Sequence, residues 1–290
     1  MGEMAHLSRA ATDVVAYRID PDASLLRLGL NGVYKLSDGR VARIGPASMR
    51  PERTLALARC AAGAGLDVLA PLDEPPLYDG ELAATFWPYV EEHPDHPLDG
   101  HWLGELIHGW HELAQELAAA GGDDLSHSSL VERRRAAIQG RLAEMAEMGR
   151  WASSKVPELL ERLERAMDRL GDLDDDLVVA HADVHPGNVL HGPSGPLLID
   201  VDSAVVAPRA WDLTPLRVHV EHFGRDPLVL DQFVAGYGED LRQRPYAQDL
   251  MELRSLSSIT WVTVMSLERP ELAKEAYWRL WGDGSGWTLV

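Results

Sequence analysis

The sequence predicts an α+β protein, a small antiparallel sheet within residues 1–87 followed by a larger helical part over residues 88–290, a length that fits one large domain or two lobes. Two patterns carry this prediction. Between residues 24 and 45 the apolar runs LLRLGL, VYKL and RVARI are separated by Asn31-Gly32 and Asp38-Gly39, dipeptides that accept the positive φ of tight hairpin turns. From Leu103 onward, apolar residues recur at the helical period, each segment offering one face for burial. A chain of 290 residues with 46% hydrophobic content is long and apolar enough to bury a large core.

Taken in order, residues 5–17 read as a helix with Leu7, Ala11, Val14 and Val15 on one side, and the three strands follow. Residues 51–64, PERTLALARCAAGA, are rich in helix formers and open on a proline, which suits a first turn whose N–H groups have no intrahelical partner. Residues 68–72 and 81–87 read as two more strands, the second stopping at Pro88, which has no N–H for a ladder. A turn-rich stretch over 91–100 leads into one helix through Leu117, with Leu103, Leu106, Ile107, Trp110, Leu113 and Leu117 on its buried side. His108 and His111 on that helix read as a core or surface pair. After 121–124 come helices over 128–148 and 156–170, the latter with Glu158–Arg162 and Glu161–Arg165 pairs opposite its apolar face. An acidic turn over 171–176 precedes the next strand, and residues 213–281 read as helices interrupted at 224–227, 236–240 and Pro270.

The formal net charge of −19 argues against nucleic acid, whose phosphates bind clustered Lys and Arg, and favours attraction of cationic small molecules. No stretch has the length of a membrane span, and the start lacks a signal-peptide layout, so a cytoplasmic protein with no membrane partner is expected. Cys60 is the only cysteine, which rules out a disulfide within the chain; its alanine-rich helical setting predicts a buried, inert thiol.

Chemistry is concentrated in residues 177–203, LVVAHADVHPGNVLHGPSGPLLIDVDS. An apolar run over 177–180 breaks into a loop bearing His181, Asp183, His185 and Asn188. After the Gly192-Pro193-Ser194-Gly195 turn, a second run over 196–199 delivers Asp200 and Asp202. Two chemistries compete for this pattern. His181, Asp183 and His185 form an H-x-D-x-H cluster of the kind a metal-dependent hydrolase uses, but that reading gives Asn188 and Asp200 no function. The alternative is the spacing H-x-D-x-x-x-x-N followed by a strand ending in Asp, which resembles the catalytic loop and metal-binding segment of protein-kinase-like enzymes. Pro186-Gly187 before Asn188, and I-D-V-D at the strand end, narrow this to the aminoglycoside phosphotransferase and choline kinase superfamily of small-molecule kinases.

The resemblance implies a two-lobed protein-kinase-like fold and transfer of the ATP γ-phosphoryl group to a hydroxyl, with GTP a further candidate donor. It implies that Asp183 accepts or orients the acceptor proton, and that Asn188 and Asp200 hold Mg2+. Asp202 either binds a second metal ion or braces the loop. Arg43, in V-A-R-I, stands where many kinases carry the phosphate-binding Lys, with Glu52 as its ion-pair partner. The turn at Gly29-Leu30-Asn31-Gly32 would cover the phosphates, and the backbone of Pro88 and Val90 would meet the adenine edge. His181 and Asp212 are implied to brace the loop, while His185 packs or faces solvent. The acceptor implied first is an aminoglycoside-type antibiotic; a macrolide, choline, homoserine or a sugar are the alternatives. Glu221, Asp226, Asp231, Glu239 and Asp240, with Trp261, Trp278 and Trp281, would suit a cationic acceptor through charge-assisted bonds and cation–π contacts.

Overall fold

The structure, a computed structural model, describes residues 9–29, 31–92, 97–122, 125, 130–171, 173 and 176–288. Expectations resting on Leu7, Leu30, and parts of the turns over 91–100, 121–129 and 171–176 lie outside these residues. In chain order the first elements are α1 (Arg9–Ile19), β1 (Ser24–Leu28), β2 (Gly32–Lys35), β3 (Arg40–Pro46), α2 (Pro51–Gly63), β4 (Leu77–Asp79) and β5 (Leu82–Pro88). Then come α3 (Gly100–Glu112), α4 (Ala114–Gly121), α5 (Leu130–Ala146), α6 (Arg150–Ser153), α7 (Val156–Leu170), β6 (Leu177–Ala180), β7 (Val189–Gly192), β8 (Gly195–Leu198) and β9 (Val205–Pro208). Four helices close the chain: α8 (Thr214–Glu221), α9 (Leu228–Tyr237), α10 (Ala247–Met265) and α11 (Ala273–Trp281). This is the α+β, protein-kinase-like architecture that the sequence predicts. No described helix is long and apolar enough to cross a membrane.

The chain forms two compact units that interleave along the sequence. The first takes residues 1–97, 116–122 and 187–202. Its antiparallel sheet has the order β1-β2-β3-β5-β4. Strand alternation turns Tyr34, Leu36, Ala42, Ile44, Ala84 and Phe86 toward Val15 and Ala16 of α1, forming one core. Arg43 falls on the other face, opposite Val33 on one side and Thr85 on the other.

The strand expected over 68–72 is reduced to one parallel bridge between Val68 and Leu198, and β4 takes the edge of the sheet instead. Pro71 explains this, since a proline in that run removes a ladder donor. The bridge still has a use. The Leu198 N–H donates to the Asp67 carbonyl at 2.8 Å and the Leu69 N–H to the Leu198 carbonyl at 3.0 Å, tying the β7–β8 hairpin to this unit. Cys60 on α2 is half-buried rather than buried, and burial pushes its thiol up.

The second unit takes residues 98–115, 123–186 and 203–290. Its longest helix, α10, packs against α5, α7, α8 and α11. The single helix expected through Leu117 ends early, because the Leu113 N–H is shared between the Gly109 and Trp110 carbonyls at 3.3 and 3.2 Å and closes the last turn of α3. Strand β6 pairs with β9, from Leu177 opposite Pro208 to Ala180 opposite Val205; β9 has no equivalent in the sequence prediction. Helices α3 and α9 cross at their backbones. A β-carbon on Gly104 would collide with the Phe233 carbonyl, and one on Gly236 with the His101 carbonyl.

Candidate active site

In the second unit, β6 delivers a loop whose backbone is held on every side. Val178, Val179 and Ala180 are buried, and the Trp110 indole N–H donates to the Val179 carbonyl at 2.8 Å. Immediately after the strand, Asp212 accepts from the His181 N–H at 2.8 Å and the Ala182 N–H at 2.6 Å, one oxygen to each. His111 Nε2 stands 3.0 Å from the same carboxylate, and its Nδ1 is 2.8 Å from the Tyr237 hydroxyl. The Trp211 indole N–H completes the brace by donating to the Ala182 carbonyl at 3.2 Å. Asp212, His111 and His181 are all buried, so these bonds satisfy groups that water cannot reach. The bracing implied for Asp212 is therefore present. His111 also answers the question of the His108–His111 pair: it is a core residue, with the His108 ring edge-on to Tyr237.

Asp183 leaves this clamp with both oxygens engaged. Arg254 Nη2 of α10 donates to Oδ1 at 2.6 Å, and His185 Nε2 lies 3.4 Å from Oδ2. Burial alone would raise its pKa, yet the Arg254 guanidinium and His185 hold the carboxyl well below the usual carboxylate range. His185 stacks on His219 with ring centroids 5.2 Å apart, and burial pushes His219 down to about 3, so that ring is neutral at physiological pH. Arg254 was not among the residues expected from the sequence, since nothing in the chain near residue 183 marks it. Nor was the contact of His185 with Asp183 expected.

In the first unit, Asn188 is buried, and its carbonyl accepts from the Ile199 N–H at 2.9 Å, which fixes the turn of Asn188 to the end of β8. The next residue, Asp200, has φ of 69°, and Ala182 has the same value. Only four non-glycine residues among those described take positive φ, and two of them lie in this stretch, where backbone strain accompanies functional loops. Arg43 Nη2 of β3 lies 2.6 Å from Asp200 Oδ1 and 2.8 Å from Asp202 Oδ2. The Asn31 amide oxygen, in the orientation that satisfies both partners, accepts from Arg43 Nε at 3.2 Å and Nη2 at 2.6 Å. Burial works against charge on Arg43 and Asp202, but their mutual attraction raises the guanidinium and lowers the carboxyl.

The Arg43–Glu52 pair implied by the resemblance does not form. Glu52, in the exposed first turn of α2, instead accepts from the Tyr78 hydroxyl of β4, while Arg43 is taken by Asp200 and Asp202. Pro88 ends β5 opposite Arg40, and the Tyr89 N–H donates to the Gly39 carbonyl at 3.3 Å. Val90 packs so closely on Gly192 that a β-carbon there would stand 2.8 Å from Val90 Cγ1.

Among the described residues, no three His, Cys, Asp or Glu side chains are placed to hold one metal ion. The hydrolase reading also loses His181, whose buried ring meets Trp110 edge-on. Nor do the acids of the closing helices form an open carboxylate wall. Glu221 pairs with Arg217, Asp231 and Asp240 with Arg242, and Glu239 with Arg244. Asp226 accepts from the Leu228 N–H at the start of α9.

The model of the phosphotransferase enzyme family matches residues 23–247. No curated protein matches the chain in sequence. Among solved structures, spectinomycin phosphotransferase in complex with ADP and spectinomycin is 17% identical with a TM-score of 0.67, covering 89% of this chain and 88% of that one. The GDP complex of aminoglycoside 2'-phosphotransferase-IIIa is 14% identical with a TM-score of 0.66, covering 94% and 97%. A choline/ethanolamine kinase family protein from Mesorhizobium loti is 16% identical with a TM-score of 0.62, covering 89% and 85%. Likeness at these identities is likeness of fold.

Proposed function

We infer the reaction from the family: this chain belongs to the phosphotransferase enzyme family, and we read it as a cytoplasmic kinase that moves the γ-phosphoryl group of ATP, or GTP, to a hydroxyl of a small molecule. The observation that carries this reading is Asp183, an ionised carboxylate oriented through both oxygens on a loop whose backbone is clamped by Asp212.

In the proposed reaction the acceptor oxygen bonds to the γ-phosphorus as the bond to the bridging oxygen breaks. The electron pair of that bond leaves with the nucleoside diphosphate, and the hydroxyl proton passes to Asp183. A carboxylate kept so acidic is a weak base, which suits a loose transition state where the proton moves late and orientation matters more than basicity.

Asp200 and Asp202 both meet one cationic nitrogen, Arg43 Nη2, and their carboxylate oxygens, like the amide oxygen of Asn188, are the hard donors that Mg2+ takes. Asn188 and Asp200 would hold that ion, with Asp202 as a second ligand or a support. When bound, it would neutralise charge on the phosphate oxygens. Arg43 and the backbone at Pro88 and Val90 make up the nucleotide side of the proposal.

The aminoglycoside-type acceptor, and with it a role in antibiotic resistance, has in its support the spectinomycin and aminoglycoside kinases of the same fold and the net charge of −19. Against it stand the acids of the closing helices, each already paired or capping, and the positive charges beside Asp183.

Asp183→Asn tests the reading. Turnover should fall about a hundredfold to ten-thousandfold, the usual contribution of a positioned acid or base, with nucleotide affinity nearly unchanged. Normal phosphorylation by the variant would end the assignment.

A further inference from the structure

The surroundings of Asp183 within its own unit are cationic, in a chain whose net charge is −19. Arg254 of α10 meets Asp183 directly. Arg134 of α5 lies over the face of Trp211, 5.8 Å from the ring centroid, and Trp211 donates to the carbonyl of Ala182 next to Asp183. Two turns along α5, Arg141 reaches the carbonyl and hydroxyl of Ser257, both at 3.4 Å, one turn beyond Arg254 on α10. Burial first, then the like charges of Arg254, Arg141 and Arg133, push the Arg134 guanidinium down to about 10. Asp183 opposes them.

This is an unusual use of arginine for this molecule. Elsewhere in the same unit half-buried arginines meet carboxylates: Arg162 meets Glu252, Arg209 meets Asp176, and Arg242 meets Asp240 and Asp231. Among the described residues, Arg133 and Arg134 have no carboxylate partner, and the opposing charge felt by Arg141 is Glu144 of its own helix. Guanidiniums drawn together and partly stripped of water repel one another, and Asp183, already engaged by Arg254 and His185, does not balance them. Such a cluster is stabilised by an incoming anion, and the planar fork of arginine matches the oxygens of a phosphate or carboxylate. A polycation placed beside Asp183 would meet repulsion instead.

We propose that the acceptor carries an anionic group, a phosphate or a carboxylate, that lies against Arg134, Arg141 and Arg254 while its hydroxyl is presented to Asp183. The proposal rests on the kinase reading above and narrows its acceptor class. It turns the expected cationic acceptor into an acidic one.

The test is a set of matched acceptors supplied with magnesium and ATP: gluconate and glucose 6-phosphate against glucose, ribose 5-phosphate against ribose, and kanamycin as the cationic member. ADP release and the mass of the product are read for each. The acidic members should give the higher kcat/KM, by about tenfold to a hundredfold, the scale of one or two charge-assisted hydrogen bonds. Arg134→Leu should raise KM for the best acidic acceptor by a similar factor, and Arg134→Lys should recover part of it. Arg141→Leu provides the same reading should the first variant fold poorly. Preference for glucose, ribose or kanamycin, or an Arg134→Leu and Arg141→Leu pair with unaltered KM, overturns the proposal.

Melting shifts measured without nucleotide separate this from failure of the kinase reading. If no acceptor releases ADP, stabilisation by gluconate or the sugar phosphates that is lost in Arg134→Leu still supports an anion site and removes only the kinase reading. Absence of any such stabilisation, together with absence of turnover on acidic acceptors, sinks the anion site itself.

Discussion

Asp183 owes its charge state to a residue from a distant helix. Because Arg254 depresses its pKa, the carboxylate form is held down to low pH; any stability it contributes is present above the ordinary carboxylate pKa and is lost only as pH falls through the depressed value. Arg254→Leu leaves burial unopposed except by His185, so the pKa should rise and the acid limb of the kcat/KM profile should move to higher pH. A carboxyl carbon NMR titration of Asp183 in both proteins checks the sign independently, and coincident curves would reject the role given to Arg254. The residues legible in the sequence were those confined to one short stretch, where Asp183, Asn188 and Asp200 show a recognisable spacing. Arg254 stands 71 residues from its partner on an otherwise ordinary helix, and Arg134 is one of three consecutive arginines on α5. No local pattern separates either from a solvated surface charge. The Arg43–Glu52 expectation failed for a related reason: the resemblance implied the pair from the order of elements, which could not say that Asp200 and Asp202 stand nearer the guanidinium.

At the scale of elements, the loop's geometry depends on how closely α3 and α9 approach. That approach brings Tyr237 of α9 to His111 of α3, and His111 to the carboxylate that grips the loop. Gly236→Ala would drive a methyl group into the His101 carbonyl, and backbone cannot move aside as a side chain can. The expected cost is about 2 kcal/mol or more, seen as a lower denaturant midpoint with an unchanged slope. A midpoint within error of wild type would mean the helices separate freely. Most elements could be read from periodicity and turn chemistry, as with the Asp-Gly hairpin, where Gly39 takes φ of 84°, and the apolar stripe of α7. Those that could not were decided by partners. A run over 68–72 looks like a strand until its neighbour proves to be Leu198, and β9 has four residues with nothing but β6 to define it.

For the whole molecule, nucleotide binding should be visible as stability. A ligand at about a hundredfold its Kd stabilises the state that binds it by about 2.7 kcal/mol. Magnesium with a non-hydrolysable ATP analogue should therefore raise the melting temperature, zinc alone should not, and Asp200→Ala should remove the part that depends on magnesium. Equal stabilisation of wild type and Asp200→Ala would place the ion elsewhere. The two-lobed plan was legible because hairpin signals cluster before residue 46 and helical periodicity dominates after residue 100. The interleaving was not, since the hairpin at 189–198 carries no mark in its own sequence that it packs with Val68. One further point follows from the left-handed turn at Ala182. An alanine methyl is crowded in that conformation, and the peptide remains there because a buried carboxylate grips the amides on both sides of the preceding α-carbon. The segment ahead of Asp183 is thus under tension, kept cocked by Asp212, His111 and Tyr237. The set of the loop that carries Asp183 is thereby entrusted to three side chains sealed in the interior.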